Sequence, residues 1–425
     1  NGREVSRAEE NRLIQGCVGV RRTTGQHPGG LVVVPDDMDV EDFTAVQHPA
    51  DAEDADTITT HFEYHCMEDN LLKLDMLGHD DPTMIRMLED LTGVNARQIP
   101  LDDPDTMSIF VSSKVLGFEN DELLGPTGAV AIPEFNTRFT RGMLMDTLPK
   151  DFNTLVRLSG FSHGTDVWLG NARELIVSGT ASVLETVGCR DDIMLYLISM
   201  GLDPKMSFKI MEAVRKGKVK KGGFQEGWVE AMQEHNVPQW YIDSLAKIGY
   251  LFPKAHAVAY VMMAFRIAWF KVHRPLAFYA TFFTVRAKAF DAEYCCAGID
   301  AVKQKIREIE NNKDATAVEK NLMVTLEVCY EFYLRGFHFD TISIYDSDAT
   351  AFKITENGLL PPFISVRGLG ESAALDTVEK RKGKRFISVE EFSTCCNKLS
   401  KTHIEQLKAL GSFAGMADTS QITLF

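Results

Sequence analysis

The apolar residues from position 81 to 285 follow the pattern of one helix after another. The pattern opens with DPTMIRMLEDLTG, in which Asp81 can cap a helix, Pro82 stands in its first turn and Gly93 ends it. A chain with this pattern over so much of its length has to be mainly α-helical. We predict further helices at 104–112, 134–147, 151–158, 168–178, 190–200, 204–216, 226–234, 238–248, 255–273 and 275–285.

Strand-like segments precede this helical block. After a helical pattern at 1–18, the Gly-rich stretch RRTTGQHPGG leads into LVVV, which Pro35 ends. DTITTHFEYH alternates like a second strand, and NLLKLDML reads as a third. These segments predict a small mixed sheet that carries Asp75, so the expected fold is mainly α with a small α/β part.

The last third of the chain has a mixed pattern. Residues 291–335 predict a charged helical pair, 342–345 and 352–354 could be short strands, and 363–411 returns to short helices. With 425 residues, of which 45% are hydrophobic, the whole chain should form large cores in about two to four domains.

Charge and cysteine usage limit the classes of function. The formal net charge is −15, so any contact with nucleic acid must use local basic patches. The eight cysteines include no C-x-x-C pair and predict reduced thiols in the cytoplasm. Because Arg266, Lys271 and Arg274 interrupt the most apolar region, no membrane insertion is expected.

The chain opens with NGREV, without Met or a signal-peptide pattern, and we interpret it as a segment of a longer protein.

Asp75 stands in an otherwise apolar run, LLKLDMLGHDDP. A buried carboxylate costs several kcal/mol unless it is paired, so either a cation neutralises it or the strand ends at a site. Two-metal chemistry needs further carboxylates close by, and none of the local Asp pairs lies beside a strand. From these residues alone, capping of the next helix explains Asp75 at least as well as metal binding.

The segment YLFPKAHAVAYVMM begins the longest predicted helix. Lys254 directly precedes it, and His256 and Tyr260 share one face because they are four positions apart. A cation and aromatic rings at a helix N-terminus suit a nucleoside triphosphate. The alternative, that His256 and Tyr260 are ordinary core residues, explains the pattern equally well.

Three further segments suggest binding. AVRKGKVKKGG, with Arg215, Lys216 and Lys218, could grip a nucleic-acid backbone or be a solvated helix end. Gly368-Leu-Gly370 fits a helix-hairpin-helix whose backbone amides face a phosphate, although an ordinary helix connection fits nearly as well. The terminal QITLF, with Gln421, Leu424 and Phe425, predicts apolar anchors for a partner pocket.

Taken together, the motifs resemble the bacterial DNA polymerase III alpha subunits of the PolC type, in their C-terminal portion. The resemblance covers nearly all of the chain. Its longest motifs are RRTTGQHPGGLVVVP, DNLLKLDMLGHDDPTMIRMLEDLTG, IPEFNTRF, SGFSHGTDVWLGNARELI, GCRDDIM, MEAVRKGK, FPKAHAVAYVMMAFRIAWFKVH, PLAFYATFFTVRA and QITLF.

The resemblance implies an architecture. Residues 1–80 would be the end of a nucleotidyltransferase-like palm, and residues 81–288 long all-α fingers. Residues 289–415 would be a mostly helical duplex-binding region with helix-hairpin-helix elements, and residues 416–425 a tail that binds the sliding clamp. The implied partners are primer-template DNA, dNTP, the sliding clamp and other replisome subunits.

The resemblance also implies which residues take part in the reaction, the addition of a dNTP to a primer 3′ end by two-metal catalysis. Asp75 would hold Mg²⁺ with two partner carboxylates expected upstream of this chain. In the fingers, His163, Arg190, Lys254, His256 and Tyr260 would bind the nucleotide. The residues of the basic run and the two hairpin glycines would contact DNA, and the three tail residues would bind the clamp.

Two other interpretations of the chain's function stay open. One carboxylate cannot assemble a metal pair, so the chain taken alone could be a non-catalytic module that binds DNA and the clamp. The related DnaE-type alpha subunit is the other, although SHGTDVWLGN and the terminal motif favour the PolC type.

Overall fold

A computed structural model describes residues 5–20, 22–26, 29–76 and 78–420, without the side chains of residues 51 and 65. The chain divides into two compact units between His79 and Asp80. Among the described residues the fold is mainly helical with small sheets, which confirms the predicted class.

The described part of the first unit has one α-helix, three short 3-10 helices and two strand pairs. The helix α1 spans Arg7–Cys17, and its N-cap Ser6 accepts a hydrogen bond from the amide of Glu9. The strands are β1 (Gly30–Val33), β2 (Val46–Gln47), β3 (Thr59–Thr60) and β4 (Leu72–Asp75). β1 pairs with β4 and β2 with β3, both antiparallel. The expected single mixed sheet is therefore wrong, because β3 pairs with β2, a strand that the sequence pattern missed.

The second unit begins with the predicted run of helices. Most of their bounds lie within a few residues of the prediction. They are α2 (Asp80–Thr92), α3 (Pro104–Ser108), α4 (Arg138–Thr147), α5 (Phe152–His163), α6 (Arg173–Val177), α7 (Arg190–Ser199), α8 (Pro204–Arg215), α9 (Lys218–Gly222), α10 (Trp228–Glu234), α11 (Gln239–Lys247), α12 (Lys254–His273) and α13 (Pro275–Val285). The predicted helix at 168–178 is a wide turn, Trp168–Ala172, followed by α6.

The helix α12 lies at the centre of this unit and packs against α2, α3, α5, α7 and α13. By length and hydropathy alone it could cross a membrane, a test that the central helix of a globular core also passes. Its Lys271 is fully buried and ion-paired with Glu331 of a later helix. This packing is that of a core helix.

The remaining helices are α14 (Ala292–Cys295), α15 (Ile299–Asn311), α16 (Ala317–Leu334), α17 (Glu371–Lys380), α18 (Val389–Cys395) and α19 (Lys401–Ala409). A three-stranded sheet lies between α16 and α17: β5 (His338–Phe339) is parallel to β7 (Gly358–Leu360), which is antiparallel to β6 (Lys353–Ile354). The strand expected at 342–345 is wrong. Ser343 Oγ instead accepts hydrogen bonds from the amides of Tyr345 and Asp346 and forms a turn.

Aromatic rings join this last region to the helical block. Phe283 of α13 lies 5.4 Å from Phe290, 5.3 Å from Phe339 and 5.6 Å from Phe352 between ring centroids. Phe332 of α16 completes the group, 4.7 Å from Phe339. The predicted boundary at residue 288 therefore falls inside a shared core, within the unit that begins at Asp80.

Candidate functional site

Asp75 is the last residue of β4, opposite Gly30 of β1. The strand is not buried: Leu72 and Leu74 are 62% and 43% exposed, and the Asp75 side chain is 65% exposed. Lys73 Nζ lies 3.1 Å from its carboxylate. The carboxylate therefore has a cation partner and stands in solvent, so the expected cost of burial does not arise.

A metal pair needs more than this carboxylate. Among the described residues, no group of three His, Cys, Asp or Glu side chains is placed to hold a metal ion. Asp75 can offer one oxygen donor at a strand end, and the described part of the chain does not form a two-metal site by itself.

In the second unit, four rings form a continuous ladder at the N-terminal end of α12. His163, the last residue of α5, stacks on Phe252 at 4.6 Å between centroids. Phe252 meets His256 edge-on at 4.8 Å, and His256 stacks on Tyr260 at 4.3 Å. Three of the five residues predicted to bind a nucleotide therefore belong to this ladder. Phe252, which joins them, was not among the predicted residues.

Glu134 anchors one end of this ladder. Its Oε2 lies 2.6 Å from His163 Nε2 and accepts a hydrogen bond from Ser159 Oγ at 3.1 Å. Its φ of +69° is rare for a residue other than glycine, and such positions occur at functional sites. Burial alone would raise the pKa of Glu134, but the hydrogen bond and charge of His163 lower it below its usual value. The hydrogen bond that His163 donates to Glu134 in turn raises the pKa of His163.

These pKa shifts predict how the pair depends on pH. The raised pKa of His163 gives stability that is fully present below about pH 6.5 and is lost as pH rises through its folded-state pKa. The lowered pKa of Glu134 gives stability that is present above about pH 4.5 and is lost as pH falls through its folded-state value. The ion pair is therefore expected to contribute fully between these two limits.

Substitution of Glu134 tests this pairing. We predict that Glu134→Gln returns the pKa of His163 towards 6.5, its ordinary value, because the charged partner is lost. NMR titration of the His163 ring protons measures the change. Glu122→Gln is the matched control, since Glu122 pairs with Lys303 and Arg307 instead. An unchanged His163 titration in Glu134→Gln would contradict the assigned ion pair.

The two predicted cations begin neighbouring helices. Arg190 is the first residue of α7 and Lys254 the first of α12, and the amide of Arg190 donates to the carbonyl of Phe252 at 3.1 Å. The Lys254 amide donates to Asp191 at 2.9 Å, and Lys254 Nζ lies 3.3 Å from Asp192. The structure thus brings all five predicted nucleotide-binding residues to one region, where the starts of α7 and α12 meet the ring ladder.

Asp192 organises the start of α7. Its Oδ2 accepts hydrogen bonds from the amides of Gly188 and Cys189 and pairs with Arg157 at 2.7 Å. The carboxylate of Asp192 therefore already balances part of the partial positive charge at the N-terminus of α7. The Lys254 ammonium can leave Asp192 for an anion without stranding that carboxylate, because Arg157 stays in place.

The predicted basic run surrounds a tight turn between α8 and α9. Arg215 donates to Glu212 at 2.9 Å and Lys216 lies 3.3 Å from the same carboxylate, while Lys218 is exposed. Gly217 has φ +65°, and a Cβ there would stand 2.4 Å from the carbonyl oxygen of Gly249. The run is thus held at a fixed place, with part of its charge matched by Glu212.

The predicted hairpin also forms. Gly368 has φ +79° and Gly370 is the N-cap of α17, and both are exposed. Leu369 between them is buried, and its amide donates to the carbonyl of Val366 at 3.0 Å. The two glycines therefore stand at the surface on either side of a buried leucine.

Gln421, Leu424 and Phe425 lie outside the described residues. The chain just before them is tied to α18: Ser388 bridges Ala417, and the Val389 amide donates to the carbonyl of Ala417 at 2.9 Å. Their role in clamp binding stays a prediction.

Sequence reasoning missed Glu134, Phe252, Asp191 and Asp192. Each stands inside a quoted motif, in IPEFN, FPKAH or GCRDDIM. Proximity to a predicted site residue could have pointed to Phe252, Asp191 and Asp192. Glu134 is far from the others in sequence, and only the fold brings it to His163.

Comparison with known proteins assigns the family. The family described as the bacterial DNA polymerase III alpha subunit finger domain matches residues 81–236, and the bacterial DNA polymerase III alpha NTPase domain matches residues 3–78. A helix-hairpin-helix motif matches residues 336–421. A curated relative named DNA polymerase III PolC-type, from Caldanaerobacter subterraneus subsp. tengcongensis, is 55% identical over 422 residues. The chain belongs to the PolC-type DNA polymerase III alpha family.

Other PolC-type relatives agree. The DNA polymerase III PolC-type of Bacillus cereus is 53% identical over 99% of this chain, and that of Bacillus subtilis 51% identical over 100%. The chain spans about 30% of the length of these curated relatives: 30% for the Caldanaerobacter protein and 29% for the two Bacillus proteins. The predicted PolC type is confirmed.

Proposed function

We propose that this PolC-type chain supplies the fingers, the duplex-binding region and the clamp-binding tail of a replicative DNA polymerase, which adds dNTPs to a primer 3′ end as the template directs. One observation carries the proposal. The starts of α7 and α12 bring Arg190 and Lys254 beside the ladder of His163, His256 and Tyr260.

In this proposal the two cations bind the triphosphate of the incoming dNTP. Lys254 moves from Asp192 to a phosphate oxygen, and Arg190 offers its guanidinium from the start of α7. Tyr260 packs near the nascent base pair, while Glu134 keeps His163 charged and in position at the other end of the ladder. These groups orient and neutralise the phosphates before transfer.

Asp75 would contribute a single ligand to the catalytic metals. Bound Mg²⁺ would lower the pKa of the primer hydroxyl and stabilise the leaving pyrophosphate. The partner carboxylates are expected from outside this chain, since the described residues do not supply them.

The basic run and the hairpin are proposed to hold the duplex. Arg215, Lys216 and Lys218 would contact backbone phosphates, which position DNA without specifying its sequence. The backbone amides around Gly368 and Gly370 would meet a further phosphate. The net charge of −15 makes such local contacts necessary.

Removal of Lys254 tests the nucleotide site. We predict that Lys254→Ala weakens dNTP binding by roughly tenfold or more, because a charge-assisted hydrogen bond contributes about 1.5–3 kcal/mol. Titration of a fluorescent dNTP measures this, with the matching nucleoside as a second ligand that lacks the phosphates. Asp192 keeps Arg157 as its partner, so the fold should survive.

Lys247→Ala is the matched control, because this exposed lysine at the end of α11 donates only to the carbonyl of Gly170 among the described contacts. It should leave dNTP affinity unchanged. If Lys254→Ala weakened the nucleoside and the triphosphate equally, Lys254 would have no special role towards phosphate.

The second candidate function is a non-catalytic module that binds DNA and the clamp. The absence of a three-residue metal cluster among the described side chains favours it for the chain taken alone. We predict that the 425-residue chain binds primer-template DNA in a salt-dependent way but does not extend the primer. Electrophoresis of a labelled primer with dNTP and Mg²⁺ measures extension, with a full-length PolC-type polymerase as positive control. Robust extension by this chain alone would contradict the expected need for outside carboxylates.

A further inference from the structure

A cavity of about 560 Å³ lies behind the hairpin. Its walls come from α14 and the residues next to it, the end of β5 with the segment that follows, the residues just before Gly368, and α19. Small-molecule and cofactor sites are typically cavities of roughly 300–1,000 Å³, so this cavity is large enough to receive a ligand or side chain. None of the residues assigned above to nucleotide, metal or clamp lines it.

The rim of this cavity is acidic. Asp291, Glu293, Asp340 and Glu405 line it, and among the described residues that line it only Arg367 has a permanent positive charge. Glu293 and Glu405 are exposed, so the mouth is open to solvent on the side where they stand. An anion such as a DNA phosphate would meet these two carboxylates at the mouth, with Asp291 and Asp340 further along the lining, and a cation would be attracted.

Two of these carboxylates have neighbours within the protein. Asp340 lies 3.1 Å from His338, and Asp291 accepts a hydrogen bond from the amide of Glu293. Burial raises the pKa of Asp291. Glu293 and Glu405 are therefore the carboxylates best placed to meet an incoming charge.

The floor of the cavity is apolar. Ile342 and Val366 line it and are almost fully buried, and Phe339 and Leu410 are half-buried beside them. Gln406 also lines the cavity, and its Oε1 is shielded from solvent with no hydrogen-bond partner among the described residues. A buried acceptor without a donor costs free energy, so a ligand that brings an N–H group would satisfy it.

We propose that this cavity is a docking site for a partner protein, which inserts an arginine or lysine side chain together with an adjacent apolar side chain. The cation would lie between Glu293 and Glu405 at the mouth. The apolar side chain would cover Ile342 and Val366, and a peptide or guanidinium N–H would donate to Gln406. Charge complementarity favours a protein partner with a basic side chain. The acidic rim repels the phosphates of nucleic acid, and a bare cation would leave the apolar floor uncovered.

Because Arg367 stands next to Gly368, a partner held here would sit directly beside the hairpin proposed to hold duplex DNA. The site therefore offers a contact between the polymerase and another protein close to the duplex. It does not depend on the nucleotide site or on extension activity.

Short peptides test the proposal with the 425-residue chain. The probes are the capped peptide Ala-Leu-Arg-Leu-Ala and its counterpart with Glu in place of Arg, observed by saturation-transfer NMR. We expect binding of the Arg peptide and none of the Glu peptide. Each of Glu293→Gln and Glu405→Gln should weaken the Arg peptide by roughly two- to fivefold, as exposed ion pairs do. Glu226→Gln, an exposed residue that does not line the cavity, should change nothing.

A space-filling variant provides a second measurement. Ala409, at the exposed end of α19, lines the cavity, so Ala409→Trp should fill the site and abolish binding while circular dichroism stays unchanged. Equal binding of both peptides, no binding of the Arg peptide at millimolar concentration, or no effect of the two Glu variants would overturn the proposal. Displacement of the peptide by an equal concentration of spermidine would overturn the assignment to a protein partner, since it would show a site for free cations.

Discussion

Replacing Lys271 with Met is expected to lower the free energy of unfolding by about 3–5 kcal/mol, the usual result of removing one partner of a buried ion pair. Lys271 is fully buried, and its Nζ lies 2.7 Å from Glu331 and donates to the carbonyls of Gly128 and Val130. Burial lowers the pKa of Lys271 to about 8, against the opposing effect of Glu331. At neutral pH the substitution would therefore leave an uncompensated carboxylate and two unsatisfied carbonyls.

Chemical denaturation followed by circular dichroism measures this loss. The double variant Lys271→Met with Glu331→Gln should recover a large part of it, because the amide is uncharged and can still accept the hydrogen bond from Tyr279. Lys247→Met is the matched control at an exposed position and should stay within about 0.5 kcal/mol of the parent. A loss below about 1 kcal/mol in Lys271→Met would show that the pair is not energetically coupled to the fold.

Joint substitution of Leu424 and Phe425 by Ala is expected to weaken binding to the sliding clamp by several kcal/mol, at roughly 2 kcal/mol or more for each apolar anchor. In the proposed contact, Gln421 fixes the backbone and the two apolar side chains fill a pocket of the clamp. Such tethering would keep the local concentration of DNA high around the polymerase. Calorimetric titration of the chain into a bacterial sliding clamp measures the affinity.

Thr423→Ala, directly before the two apolar anchors, should have little effect, so it separates loss of the anchors from general disturbance of the tail. DNA affinity should be equal in all of these variants, because the tail is distant in sequence from the basic run and the hairpin. Unchanged clamp affinity after loss of both anchors would show that the tail does not bind the clamp.

Local signals predicted the helices well. Asp203 and Pro204 mark the start of α8, and Asp203 accepts a hydrogen bond from the amide of Met206. Such caps act within a few residues of sequence, so one chain segment carries the whole signal. The strands were predicted less well, because β2, β5 and β7 have two or three residues each and depend on partners elsewhere in the chain.

In the candidate site, too, local signals could be predicted and contacts between distant segments could not. Lys254, His256 and Tyr260 could be grouped from one helical motif, and the resemblance added Arg190 and His163. Their common location depends on the packing of α12 against α5 and α7, which periodicity cannot supply. The same holds for the acidic cavity, whose walls come from four separate segments.

The ring cluster around Phe283 bears on how such polymerases can be dissected. A fragment that ended at the predicted boundary, residue 288, would keep Phe283 but lose Phe290, Phe332 and Phe339, its ring neighbours. The cut would also remove Phe352, whose amide donates to Thr284 of α13. Both halves would then carry exposed aromatic surface of the kind that drives self-association. A boundary predicted from the functional regions of the sequence, such as residue 288, is thus a poor place for truncation. Soluble fragments are better cut at His79, between the two compact units.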